Sequence, residues 1–103
     1  MDLKALGENL GLEEDEFIEI VEIFLDTAYS DVKKLEDAHV SKDVQAASEA
    51  AHSLKGSAGN LGFMDIANLA AKLENEARKK IISSIEEAIP LFNTMLGQIK
   101  DKI

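Results

Sequence analysis

The sequence predicts an all-α fold, an antiparallel up-down four-helix bundle with a short additional N-terminal helix. Three observations carry that expectation. Apolar residues recur at three- and four-residue spacing along most of the 103 residues. The composition has no Cys, a single Pro and few aromatics, and leans on Ala, Leu, Glu and Lys, which suit helix. The breaks between periodic segments are short, which favours antiparallel neighbours.

Each element follows in order. Leu3, Leu6 and Leu10 share one helical face and Gly11 stops it, giving a first helix of about two turns that serves as a lid. Glu13 to Glu16 place negative charge where a helix N-terminus favours it, and Phe17, Val21, Phe24, Leu25, Ala28, Val32 and Leu35 continue as the stripe of a long second helix. His39, Val40 and Ser41 read as the break, His39 as a loop residue and Ser41 as the N-cap of a third helix. That helix has the stripe Val44, Ala47, Ala51, Leu54, Ala58 and Leu61, and Gly62 ends it. Phe63, Ile66, Leu69, Ala70, Leu73 and Ala77 form a fourth helix, whose basic end, Arg78, Lys79 and Lys80, complements its dipole before a stop near Ser83. Ser83 with Glu86, or Ser84 with Glu87, has capping-box spacing and opens a fifth helix with Ile85, Ala88, Ile89, Phe92, Met95, Leu96 and Ile99 inward. Pro90 falls inside it and is expected to kink it. With 46% apolar residues the chain has enough for one core, so residues 1–103 are read as one domain.

A formal net charge of -9 repels phosphate backbones and anionic lipid, and no local basic patch answers it, so neither nucleic acid nor a membrane is an expected partner. No apolar run approaches the roughly 20 residues of a membrane span. Without cysteine there is no disulfide framework, and without a leader-like start the expected compartment is the cytoplasm. The expected partners are proteins.

The third helix carries the chemistry. At about 100° per residue, His52 stands about 130° from the centre of the apolar stripe, on the exposed side. Gly56 and Gly59 follow it one and two turns later on nearly the same line, although a glycine inside a helix costs roughly 1 kcal/mol against Ala. Their small size opens an approach path to the imidazole for a bulky group such as another protein's active site. Lys55, three residues after His52, is a surface neighbour whose ammonium can reach an anion on the ring. A free imidazole titrates at about 6.5, so near neutral pH it keeps a nitrogen lone pair for an electrophilic phosphorus. Phosphoryl transfer demands mainly positioning and charge neutralisation, of which one His and one Lys supply little, so a partner must bring the rest.

The run from Ala51 through Phe63, with His52, Leu54-Lys55-Gly56 and Leu61-Gly62, resembles the signature of histidine-containing phosphotransfer domains. The resemblance extends over about residues 10 to 100 in helix order and spacing. It implies that His52 is phosphorylated on its outer ring nitrogen, with Lys55 and Gly56 at the supporting positions. It further implies a phosphoryl carrier rather than an enzyme, monomeric, exchanging phosphate with response-regulator receiver domains and a sensor histidine kinase. No cofactor is then expected on this chain, and magnesium is expected on the partner receiver. In the related domain of chemotaxis kinases a second histidine and a glutamate from the next helix join the site. Glu74 matches that glutamate, whereas Ala71 replaces the second histidine.

Plainer readings stand beside these. Glu74 is more ordinarily a solvated or capping charge, and the two glycines could merely permit close packing. Ile20 and Ile23 lie off the main stripe of the second helix; the first helix is expected to cover Ile20, and the alternative is an apolar docking patch near His52. Glu36 with His39 and Glu49 with His52 have the Glu-x-x-His spacing of di-iron carboxylate bundles, but such ligands point inward and His52 does not. A helical adaptor without chemistry accounts for the bundle and leaves the cost of Gly56 unexplained.

Overall fold

The computed structural model describes residues 2–103, and among them there are five helices and no strand. They are α1 (Leu3–Asn9), α2 (Glu14–Ser41), α3 (Val44–Leu61), α4 (Met64–Arg78) and α5 (Ile85–Asp101). The helices α2 and α3 pack together, as do α3 with α4, α4 with α5 and α2 with α5, while α1 rests against α2. None is long and apolar enough to cross a membrane.

The stripes read from the sequence are the core. Phe17, Val21, Leu35, Leu54, Ile66, Phe92, Leu96 and Ile99 are fully buried, and Phe24 stacks obliquely on Phe63 with ring centroids 5.2 Å apart. Burying one such side chain is worth about 1.5–3 kcal/mol. The seam between α3 and α4 is built differently. Ala47, Ala51 and Ala58 on α3 and Ala67, Ala70 and Ala77 on α4 are buried, and their small size lets two backbones approach closely. A β-carbon on Gly59 would stand 4.0 Å from that of Ala67, an ordinary contact.

The helix ends depart from the expectation in three places. First, α2 runs through His39 and Val40 to Ser41; Lys42 then adopts a left-handed conformation, φ 59°, and Asp43, not Ser41, caps α3 by accepting a hydrogen bond from Ala46 N. His39 is therefore in the last helical turn rather than in a loop. Second, α4 stops at Arg78, five residues before the expected end, because Lys80 turns left-handed at φ 64°. Third, Ser84 occupies the N-cap of α5 without capping it through its side chain; its hydroxyl donates instead to Glu76 Oε2 at 3.3 Å, so neither proposed capping box forms. The expected acidic start of α2 holds, with Glu16 Oε1 accepting from Glu13 N at 3.1 Å. The helix α5 continues through Pro90 to Asp101, and Pro90 is exposed, so the carbonyl it leaves unpaired can turn to water.

The lid is seated by Leu6. Gly62, at φ 87°, has the left-handed backbone that favours glycine, and a β-carbon there would come within 2.8 Å of Leu6 Cδ2. Ile20 and Ile23 gain no such cover and remain exposed, contrary to the expectation that α1 would bury Ile20.

Candidate functional site

The site sits where α4 passes under α3. The long α3 stripe turns Ala51 and Leu54 into the core and leaves His52 outward, its side chain 65% exposed. Across the alanine-lined seam, α4 brings Glu74 beneath the ring. Glu74 is only 2% exposed, which corrects the reading of it as a solvated or capping charge.

Three donors converge on that carboxylate. His52 Nδ1 lies 2.7 Å from Oε2, Lys55 Nζ donates to Oε1 at 2.6 Å, and Arg78 Nη2, one turn further along α4, donates to Oε2 at 2.9 Å. The Lys55 ammonium above all, joined by the His52 hydrogen bond and the Arg78 charge, holds Glu74 below the ordinary carboxylate value of 4.5, against burial, which pushes it up. Glu74 is thus ionised near neutral pH and can only accept hydrogen bonds. In the neutral ring the proton shared with Glu74 is then on Nδ1, which leaves the lone pair on Nε2.

A second buried carboxylate fixes the other flank. Ser53 donates to Asp31 Oδ2 at 2.7 Å, tying α3 to α2 beside His52, and Asp31 is buried. The periodicity gave no sign of Asp31, because it lies on the edge of the α2 stripe and reads as an ordinary surface charge.

Both glycines of the expected approach path lie on the exposed side of α3. A β-carbon on Gly56 would meet nothing within 4 Å, so packing inside the chain does not demand a glycine there. Of the five residues singled out from the sequence, His52, Lys55 and Glu74 are joined directly by hydrogen bonds, and Gly56 and Gly59 lie on the following turns of α3. Arg78 is the addition: the sequence offered it only as a charge complementing a helix end. The alternative metal ligands do not gather, since no group of three or more His, Cys, Asp or Glu is placed to hold a metal ion among the described residues.

A buried carboxylate behind a solvent-facing imidazole, with two cations alongside, suits a nucleophilic ring nitrogen that receives an anionic group. Residues 19–102 match the Hpt domain family, whose members are histidine phosphotransfer carriers of two-component signalling that interact with receiver domains and histidine kinases. Among curated proteins and solved structures none matches the chain significantly. With the match covering most of its length and His52 standing in the site just described, the chain belongs to the Hpt domain family.

Proposed function

We propose that His52 Nε2 accepts a phosphoryl group from the aspartyl phosphate of one receiver domain, or from a sensor histidine kinase, and passes it to the aspartate of another receiver. The observation that carries this reading is the Nδ1 to Glu74 hydrogen bond at 2.7 Å, which reserves the Nε2 lone pair on a ring open to solvent. In the transfer, that lone pair attacks phosphorus and the N–P bond forms. The P–O bond to the aspartate breaks, and the departing carboxylate takes its electron pair. The ring keeps its Nδ1 proton and becomes cationic, and the Glu74 carboxylate beneath it offsets that charge. Passing the group on reverses these steps at a second carboxylate.

Lys55 neutralises phosphoryl charge in this reading, and Gly56 leaves the receiver room to reach the ring. Magnesium belongs to the receiver, not to this chain. The scaffold that presents the site is an antiparallel up-down bundle of α2 to α5, a reading supported by the cycle of packed pairs, with α1 as the short addition.

The test is to incubate the chain with a phosphorylated receiver domain and magnesium, and to look for an acid-labile, base-stable phosphate that maps to His52. His52→Gln should take no label and keep its helical circular dichroism. Label on the Gln variant, or none on the parent chain from several receivers, would sink the proposal.

A further inference from the structure

The turn from α2 to α3 and the connection from α4 to α5 meet at one end of the bundle, around a groove of about 630 Å³. Val40, Val44 and Ile82 line it together with His39, Lys42 and Lys80. Val40 is 77% exposed, and both lysines are exposed as well. The chain holds 20 acidic residues against 11 basic ones, yet neither Lys42 nor Lys80 forms an ion pair among the described residues. Three carboxylates nearby in sequence are engaged elsewhere: Asp37 pairs with Lys33 at 3.0 Å, Asp43 caps α3, and Glu76 accepts from Ser84. Lys42 and Lys80 are also the two residues other than glycine with a left-handed backbone, at φ 59° and 64°. Glycine adopts that conformation freely, whereas a residue with a β-carbon is strained in it. Attraction of a cation to a helix C-terminus offsets only part of that strain. A strained residue kept where glycine would fit is a sign that its side chain is used, and both strained positions fall on this one groove.

We propose that this groove docks an acidic segment of a partner protein, with an aliphatic side chain seated among Val40, Val44 and Ile82 and carboxylates paired to Lys42 and Lys80. Apolar walls between two separate charges select such a segment over other anions. A nucleic acid would bring phosphates but no aliphatic group for the walls, and an anionic lipid surface would meet the acidic remainder of a chain whose net charge is -9. His52 stands about 12 Å further along α3 than Val44, at about 1.5 Å per residue, so the groove is separate from the phosphoryl site. Docking here needs no phosphoryl group and stands or falls apart from the carrier reading.

A display library of random short peptides, panned against the intact chain, supplies the probe. Enriched peptides should combine Asp or Glu with Leu, Ile or Val. One of them, added to the isotopically labelled chain, should move the amide signals of Val40, Val44 and Ile82 more than those of His52 and Lys55. Lys42→Gly combined with Lys80→Gly removes both charges and relaxes the backbone. Its helical circular dichroism should be unchanged, and its affinity for the peptide should fall by about tenfold, the size expected of two exposed ion pairs. Val40→Asp, at a side chain already in water, should weaken binding by a similar factor, and the peptide with Lys in place of its acidic residues should not bind. No enriched class, signal shifts centred elsewhere, or a folded double variant that binds as the parent does would each overturn the assignment. So would peptides that fail while phosphatidylglycerol vesicles or single-stranded RNA bind the parent and not the double variant, which would give the groove to a lipid or a nucleic acid.

Discussion

A carboxylate as covered as Glu74 either finds cations or gives up its charge, and here Lys55, His52 and Arg78 supply the donors. The consequence can be tested by titration. The folded chain holds Glu74 below its ordinary value of 4.5, so the unfolded chain binds its proton more readily. Stability from this group is therefore fully present above about 4.5 and is lost as pH falls through the lower folded-state value. Glu74→Gln should flatten that part of the stability-against-pH curve, measured by denaturant melts at several acidic pH values; an unchanged slope would mean that other carboxylates set it. The same variant keeps an amide oxygen for the Nδ1 proton but loses the charge that offsets a cationic ring, so it should accept phosphoryl groups more slowly while its helix content is retained. Gly56 separates fold from function in the opposite direction. The space beside it is open, so Gly56→Ala should raise stability by about 1 kcal/mol, the ordinary helical gain over glycine. Transfer from a receiver should nevertheless slow, because the methyl group occupies the approach to His52. A variant that is both more stable and as fast as the parent would remove Gly56 from the site. The placement of His52, Lys55 and Gly56 on the outer face of α3 was legible in the sequence because it follows from position on a single helix. Glu74 as a buried centre and Arg78 as its third donor were not, because both depend on how closely α4 approaches α3. That distance is set by alanines, which a periodicity reading counts only as apolar.

The helices show one closing device four times. Each of α1 to α4 ends with a left-handed residue, Gly11, Lys42, Gly62 and Lys80, followed by a backbone N–H that reaches back five residues. The returning bonds run from Leu12 to Gly7, Asp43 to Ala38, Phe63 to Ala58 and Ile81 to Glu76, at 2.8 to 2.9 Å. Two of the four positions carry lysine, for which the left-handed region costs about 1–2 kcal/mol, partly offset by a cation's attraction to a helix C-terminus. Lys42→Gly and Lys80→Gly should each stabilise the chain by about 0.5–1 kcal/mol, raising the melting temperature by several degrees. A lowered melting temperature in both would show that the lysine charges outweigh the backbone strain. These lysines also explain where the boundaries were misread. Glycine announces a left-handed stop, and Gly11 and Gly62 were legible for that reason. Lysine announces continuation, so the end of α4 was set too late, near Ser83; α2 was instead ended too early, because Ser41 was taken as the cap of α3 in place of Asp43.

Across the molecule, apolar side chains left in water are the remaining cost, and their positions relative to His52 differ. The Ser53 to Asp31 hydrogen bond sets the register of α3 against α2. Three turns back from Asp31 along α2, on nearly its line, stands Ile20, with Ile23, 67% exposed, further round the helix toward solvent, and the α3 turns that follow Ser53 carry Gly56 and Gly59. A receiver that reached the ring over the α2 side of α3 would meet these isoleucines. Leu91 is also exposed but belongs to α5, which packs on α2 and α4. If the patch beside α3 is where receivers dock, Ile23→Asp should lower the second-order rate of phosphoryl transfer by about fivefold, the effect of losing part of one buried aliphatic side chain. The rate at saturating receiver should change little, since no group touching the ring has been altered. Leu91→Asp should leave both rates alone, and neither variant should lose stability, because each side chain is already in water. Equal losses from Ile23→Asp and Leu91→Asp would point to long-range charge repulsion from an already acidic chain. A loss confined to Ile23 would place the docking surface on the α2 side of His52, the side on which Asp31 holds Ser53.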